Sequence, residues 1–452
     1  MTLKTPLENW IQRTISKAKD SVPLTRSGLE VYQLQKIRET LSYVRENSPF
    51  YRDVLSDAET DPVQRVENMA RLPFTTSDDL KSHPLRFLCV SQSSIERCVT
   101  LQSSGTTGPA KRLFFTREDL EHTLDFFHHG MSTLVYPGDR VMILLPGGGR
   151  PDSVSDLLSR ALARMAVQSL APGPDPETTP DAIIQQGITC LVGAPVPVLA
   201  LARYGRGENC LKNRIKSVLL TADHIPAAIV DAVESALNCK VYCHYGMTEM
   251  GWGGGVECEA RSGYHLREAD LFVEIVDPET GRPLPDGESG EIVVTTLTRV
   301  GMPLIRYRTG DISRFHTSPC PCGTVLKRLD RISGRLSDSD NDCKVSSMLL
   351  TLPILDESLF SLPGVMDFKA DLSACQDRDC LTITLSLSQE ADPDAVAAAA
   401  REKLTAIPAI RTSRTQLVIE LPQPGIFGIL TSGNQKRTLA DHRPKSIRRN
   451  SD

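Results

Sequence analysis

No long hydrophobic run is present in this 452-residue chain. Its most apolar passage, Cys190 to Ala202, is short and carries Pro195 and Pro197, whereas a bilayer span needs about 20 apolar residues in a row. An excess of positive charge is missing too: 51 lysines and arginines stand against 56 acids, a formal net charge of −5. That balance argues against a broad nucleic-acid-binding surface. The one dense basic run, Arg443 to Arg449, reads as a solvated end. Met1 to Lys19 mixes charge throughout and lacks the apolar stretch of a signal peptide. No internal repeat is visible. Aromatic residues are few, 5% of the chain, a global figure that leaves the walls of any pocket open.

Cysteine is not scarce, at twelve residues. Most stand singly in apolar runs, as Cys89, Cys190 and Cys239 do, where a buried reduced thiol is expected. A chain of this size needs no disulfide staples. Cys320 and Cys322 differ, lying one residue apart between prolines and a glycine. With Cys258 and His265 they supply three thiolates and an imidazole, a set suited to a structural tetrahedral Zn²⁺. A reduced turn remains the alternative.

The composition, 40% apolar and 24% charged, is that of a globular protein, and the length calls for two or more domains. Val31, Leu34, Ile37, Leu41 and Val44 predict an amphipathic helix over 29–46, stopped by Asn47-Ser48-Pro49. Strands are expected at Val141–Leu145, Cys190–Val192, Ser217–Leu220 and Val241–Cys243, with helices at Ser153–Gln168 and Ala227–Leu237. This alternation implies an α/β fold with mostly parallel, helix-covered sheet. Phe272–Val276 and Glu291–Thr295, joined through Asp277-Pro278-Glu279-Thr280-Gly281 and Asp286-Gly287, predict an antiparallel subdomain. After Arg335 the run Ser337–Asp342 reads as a linker. Strands at Leu381–Leu387 and Leu417–Leu421 and a helix at Asp394–Ile407, capped by Asp392 or Asp394, then predict a small mobile α+β domain. The expected division is 1–335 and 336–452.

Residues 103–111, Ser-Ser-Gly-Thr-Thr-Gly-Pro-Ala-Lys, carry the strongest chemical signal. Gly105 and Gly108 let backbone N–H groups converge on an anion. Ser103, Ser104, Thr106 and Thr107 add hydroxyl donors, and Lys111 adds a point charge. The result is a cradle for a polyphosphate, although no glycine directly precedes Lys111 and it is not a Walker loop. Two further segments stand out, His244-Tyr245-Gly246-Met247-Thr248-Glu249 and Tyr307-Arg308-Thr309-Gly310-Asp311.

In this order and spacing the three segments resemble the adenylate-forming, AMP-binding superfamily, with wording closest to its phenylacetate–CoA ligase branch. Leu72-Pro73-Phe74-Thr75-Thr76-Ser77-Asp78-Asp79-Leu80, Met302-Pro303-Leu304-Ile305-Arg306, Cys320-Pro321-Cys322-Gly323 and Arg331-Ile332-Ser333-Gly334-Arg335 support the likeness, which runs from about residue 45 to 443. A similar cysteine/histidine set recurs in some relatives. The resemblance implies an ATP-dependent enzyme that joins a carboxylic acid, aromatic acids included, to AMP and then passes the acyl group to coenzyme A.

Residue by residue, the resemblance gives the 103–111 loop the β- and γ-phosphates and Glu249 a Mg²⁺ ion beside the α-phosphate. It gives Thr248 the α-phosphate and Tyr245 the adenine, with Gly246 and Met247 among the nucleotide-binding residues. Asp311 becomes the ribose clamp. Ala222 and Asp223 stand where relatives contact adenine, and either Arg331 or Arg335 completes the nucleotide contacts. Lys436 matches the mobile lysine that bridges carboxylate and α-phosphate, although Gln435, not glycine, precedes it. The expected partners are a carboxylic acid, ATP, coenzyme A or a carrier protein, and a second copy of the chain, in the cytoplasm.

Two departures bear on the acceptor. Ser337 stands where relatives begin an acidic pair, leaving Asp338. Lys344-Val345-Ser346-Ser347-Met348-Leu349-Leu350 lacks the glycine that lets backbone approach a pantetheine chain. Transfer to a carrier protein, an amine or a cofactor, or a non-catalytic nucleotide-binding regulator, are the competing expectations.

Overall fold

The computed structural model describes residues 4–16, 23–56, 63–101, 110–145, 148–172, 179–204, 210–336, 343–345, 348–375, 378–411, 415–421 and 437–443. Ser103, Ser104, Gly105, Thr106, Thr107, Gly108, Ser337, Asp338 and Lys436 lie outside the described residues. The chain divides into two compact units, Met1–Gly138 with Gly149–Ser169 and Tyr242–Ser333, and Asp139–Gly148 with Leu170–Val241 and Gly334–Asp452. Among the described residues no helix is long and apolar enough to cross a membrane.

In the first unit a helix forms over Arg26–Asn47, opened by the Thr25 hydroxyl accepting the Gly28 N–H at 3.1 Å. Leu29, Gln33, Ile37, Thr40, Leu41 and Val44 make its buried face. Val31, expected on the apolar stripe, is exposed, because at about 100° per residue it turns away from that face. Ser48 ends it and caps the next helix, Pro49–Val54, through the Tyr51 N–H. Proline at the first helical position costs nothing there, because that N–H has no intrahelical partner. Besides the antiparallel pair Arg97–Leu101 and Lys111–Phe115, two groups of antiparallel strands frame the rest. In one, the strands Lys240–Tyr245, Gly255–Glu257, Tyr264–Leu266 and Arg328–Leu329 pair in that order, with Tyr245 opposite Gly255 and Arg328 opposite His265. In the other, Leu271–Val276, Gly290–Thr296 and Tyr307–Ser313 form a meander.

A buried pair ties this unit together. Arg306, 1% exposed, donates to both oxygens of Glu274 at 3.0 Å and to the carbonyls of Ala70 and Leu72. Its guanidinium lies 4.1 Å from the Phe74 ring centroid. The upstream Leu72–Leu80 phrase and the Met302–Arg306 phrase are therefore two halves of one contact. A charge this deep is tolerated because each of its three nitrogens finds an acceptor, two of them on a carboxylate.

In the second unit Arg140–Leu144, Cys190–Gly193 and Ser217–Leu220 run parallel, with Pro195–Arg203 and Ala227–Leu237 as helices. The apolar Cys190–Ala202 passage is thus a strand and then a helix. Its prolines fall in the helix's first turn, where they remove no intrahelical bond. A second sheet has Val365–Cys375 and Arg378–Leu387 antiparallel, with Gln416–Glu420 and Leu439–Asp441 parallel at the edges. The helix Pro393–Ala406 begins on Asp392, whose carboxylate accepts from Asp394 and Ala395 N–H groups.

One expected element is shorter than its pattern. The helix begun at Ser153 is Val154–Ala163 rather than reaching Gln168. Ala166 takes a φ of 56°, and the Val167 N–H turns back to the Leu162 carbonyl. That reversal frees Gln168–Leu170 to become a strand.

Candidate active site

The first unit brings one residue from the Ser103–Lys111 segment together with residues of the other two. Lys111 opens the strand Lys111–Phe115, and its ammonium is hydrogen-bonded to Glu249 Oε1 and donates to the Tyr307 hydroxyl at 3.3 Å. Tyr307 in turn donates to Glu249 Oε1 at 3.0 Å. Glu249 is 3% exposed and Lys111 14%, so the pair is drawn largely out of water, where charge–charge interactions strengthen.

Glu249 sits on the short turn Thr248–Met250, which follows Tyr245. Close approach explains the glycines around it. A Cβ on Gly246 would meet the Trp252 carbonyl oxygen at 2.4 Å, and one on Gly253 the Phe126 ring at 2.2 Å. Gly246, Met247 and Thr248 are half-buried, and the Met247 carbonyl accepts from Met250 and Trp252.

Tyr245 and Asp311 also meet. The Tyr245 hydroxyl donates to Asp311 Oδ2 at 2.9 Å, and both side chains are buried. Asp311 owes its place to an irregularity in the meander. Glu291 opposes Ile312 and Val293 opposes Arg308, so Thr309-Gly310-Asp311 face a single residue, Ile292. Gly310 takes a φ of 77° and donates its N–H to Glu291 Oε1 at 3.0 Å. The Thr309 hydroxyl donates to the Ile292 carbonyl at 2.7 Å and accepts the Asp311 N–H at 3.0 Å. Such bulges re-aim a side chain at a strand end. Here the carboxylate is held by groups that are themselves fixed.

Arg331 lies in the same unit, its guanidinium 3.7 Å from Glu257 Oε1. Arg335, Ala222 and Asp223 lie in the other unit. Ala222 adopts a φ of 72° past the end of Ser217–Leu220, and Asp223 accepts the His224 N–H at 2.8 Å.

Three residues with a part in this site went unassigned in the sequence. Tyr307 opens the Tyr307–Asp311 motif, and the alternation that buries Tyr307, Thr309 and Asp311 together was its signal. Arg299 is half-buried, donates to the Glu249 carbonyl at 2.8 Å and stacks 4.8 Å from the Phe115 ring. Burial pulls its guanidinium down to about 10. Glu257 is wholly buried and accepts the Cys243 N–H at 2.9 Å. Nothing in the local sequence marks Arg299 or Glu257.

Cys258, His265, Cys320 and Cys322 form a separate buried cluster whose donor atoms lie within 4.8 Å of one another. Cys258 Sγ is 3.7 Å from Cys320 Sγ, and Cys322 Sγ is 3.5 Å from His265 Nε2. A tetrahedral zinc with ordinary bond lengths sets these edges at about 3.8 Å for two sulfurs and about 3.6 Å for sulfur and nitrogen. The spacing therefore fits that ion. Local backbone supports it: Ala260 donates its N–H to Cys258 Sγ at 3.4 Å, and the Cys320 turn closes through Gly323 at φ 75°.

The hydrogen bond from Cys258 draws the Cys322 thiol down to about 3, against the effect of burial. That bond and burial push Cys258 up. Burial opposes charge on His265, but the Cys320 and Cys322 sulfurs outweigh it and raise the imidazole to about 9.

Residues 23–298 match the AMP-binding enzyme family. The phenylacetate–coenzyme A ligase of Thermus thermophilus is 31% identical over 325 residues, 70% of this chain and 72% of that protein. That of Aromatoleum evansii is 26% identical over 98% of this chain and 100% of its own. In fold, a 2-hydroxyisobutyryl-CoA ligase crystallised with an acyl-adenylate superposes with a TM-score of 0.75 at 19% identity, over 93% of this chain and 90% of its own. The chain belongs to the AMP-binding enzyme family, in its phenylacetate–coenzyme A ligase-like branch.

Proposed function

We propose that the protein activates a carboxylic acid with ATP and transfers the acyl group to coenzyme A. The carboxylate oxygen attacks the α-phosphorus, forming acyl-AMP and expelling pyrophosphate. The thiol of coenzyme A then attacks the acyl carbon, forming the thioester and releasing AMP and a proton. The observation that carries this reading is the meeting of Lys111, Glu249 and Tyr307, with Tyr245 on Asp311 nearby in sequence order. Both reactants are anions, so a site that supplies fixed positive charge and holds them in line answers the main barrier.

In this assignment Lys111 and the 103–108 segment bind the β- and γ-phosphates, and Thr248 the α-phosphate. Glu249 would hold Mg²⁺, which neutralises phosphate charge when bound. Asp311 orients the ribose and Tyr245 the base, Gly246 and Met247 add nucleotide contacts, and Ala222 and Asp223 are assigned to adenine from their motif alone. Arg331 or Arg335 supplies a further cation. Lys436, in a small domain beginning after Arg335, bridges the attacking carboxylate and the α-phosphate. The cysteine/histidine cluster holds a structural Zn²⁺. Work in the cytoplasm, where ATP and coenzyme A are at hand, completes the reading.

The test is a panel of aryl, arylacetic and short aliphatic acids, scored first for acid-dependent pyrophosphate release and then, with coenzyme A, for thioester. Pyrophosphate without thioester would redirect the acyl group to a carrier protein or amine. Neither product with any acid would leave a nucleotide-binding regulator. Two variants probe roles. Asp311→Ala removes a charge-assisted acceptor and should weaken ATP binding by roughly 1.5–3 kcal/mol; unchanged affinity by calorimetry would remove Asp311 from the ribose. Lys436→Ala should slow acid-dependent pyrophosphate exchange about a hundredfold with ATP affinity little changed. Near-normal exchange would move that role to another lysine, Lys445 first.

A further inference from the structure

Glu257 is a buried carboxylate that the adenylation chemistry does not use. It lies at the end of Gly255–Glu257 with no exposed surface. Oε2 accepts the Cys243 N–H at 2.9 Å, and Oε1 accepts the Gly263 N–H at 3.3 Å. These two bonds fix the carboxylate between the neighbouring strands. Burial pushes the Glu257 carboxyl up, and a neighbouring cation opposes that. Arg331 supplies one, 3.7 Å from Oε1, while a third of its own side chain remains exposed.

The backbone places Arg331 beside the strand that carries Asp311. The Asp330 N–H donates to the Arg314 carbonyl and the Ser333 N–H to the Ile312 carbonyl, both at 2.9 Å, and the Ser313 hydroxyl donates to the Asp330 carbonyl at 2.8 Å. On the neighbouring sheet, Tyr264 stands opposite Glu257. Its ring centroid is 6.0 Å from that of Tyr245, whose hydroxyl binds Asp311. Arg331 thus lies beside the strand of Asp311, with Glu257 on one side of its guanidinium and a third of its side chain exposed.

We propose that Glu257 is a positioning residue, whose buried carboxylate holds the Arg331 guanidinium toward the nucleotide. The proposal rests on the reading of Arg331 as a nucleotide contact, and it selects Arg331 over Arg335 for the anchored role. Glu257 itself touches no substrate. It restricts a long, flexible cation to one arrangement, so less freedom is lost when a phosphate or ribose is bound.

A double-mutant cycle on the full-length protein tests it, with ATP affinity read by calorimetry and KM for ATP and kcat read from pyrophosphate exchange. Arg331→Ala should weaken ATP binding about ten- to a hundredfold. Glu257→Gln should weaken it by a comparable factor, mostly in KM, and should add nothing in the Arg331→Ala background. A role in the sheet alone would instead multiply the two losses. If Arg331→Ala leaves ATP affinity unchanged, the nucleotide reading of Arg331 falls and the proposal with it. If Arg331→Ala weakens binding while Glu257→Gln does not, or the losses multiply, Glu257 is not its positioning residue. Should Glu257→Gln not accumulate as folded protein, Glu257→Asp, which keeps the charge and withdraws it by one methylene, goes through the same cycle with the same three readings.

Discussion

Glu249→Gln should slow acid-dependent pyrophosphate exchange by about a hundred- to a thousandfold, with little loss of fold. The variant keeps the size of the side chain and an amide oxygen for the Tyr307 hydroxyl, now 3.0 Å from Oε1. The Arg299 bond is to the backbone carbonyl and survives. Only the negative charge is lost, and with it the group assigned to hold Mg²⁺ and the counter-charge of Lys111. These two roles separate experimentally. If Glu249 serves only to neutralise Lys111, removing both charges in Glu249→Gln with Lys111→Met should restore exchange. If carboxylate and ammonium act on the metal and phosphates, the double variant should be no better than Glu249→Gln alone. Near-wild-type exchange at saturating Mg²⁺ in the single variant would remove Glu249 from the reaction.

That experiment addresses a contact the sequence could not display. Lys111 and Glu249 are 138 residues apart, and Lys111 and Tyr307 are 196 apart. Each motif announces a chemical type through glycines, hydroxyls and charge, because those set local backbone freedom and donor supply. Which charges pair is decided by strand order and register. The bulge at Thr309-Gly310-Asp311 shows the same limit. Gly310 hints at an unusual turn, but the need for it comes from Glu291 and Ile292 on the neighbouring strand.

Periodic elements were more legible. The Arg26–Asn47 helix, the parallel strands at 140–144, 190–193 and 217–220, and the Asp392 cap all follow from spacing and local bonding. The Val154–Ala163 helix fell short of its apolar pattern because Ala166 turns left-handed and the chain reverses, a tertiary demand that alanine, a strong helix former, does not advertise. The cysteine/histidine set was legible for a different reason. Its ligand types are chemically narrow, so even 62 residues between Cys258 and Cys320 leave few alternatives for three thiols and an imidazole.

Zinc removal should cost stability first and activity as a consequence. The Cys258 loop follows the strand paired with Tyr245, His265 lies on the next strand, and Cys320 and Cys322 lie past the Asp311 strand. A metal bound to all four would therefore lock the sheet bearing Tyr245 to the turn that follows Asp311. Four protein ligands would close the coordination shell of a bound zinc, leaving no position for a reactive water, so the proposed role is structural. Metal-bound thiolates also resolve a burial problem, since four polar donors packed this tightly, each under about a tenth exposed, otherwise depend on sharing protons among themselves. The rest of the unit has its own core, so the loss should fall below that of a zinc finger, which unfolds outright. A deficit of about 4 kcal/mol would lower the unfolding midpoint by roughly 8–16 °C in a domain of this size. Cys322→Ser should show that drop together with the loss of about one equivalent of metal, and ATP affinity should decline as the Tyr245–Asp311 contact loosens. Protein purified without added metal decides the matter: less than about a tenth of an equivalent of zinc, with all twelve thiols titrating freely in the folded state, would leave the cluster a set of reduced cysteines beside a histidine.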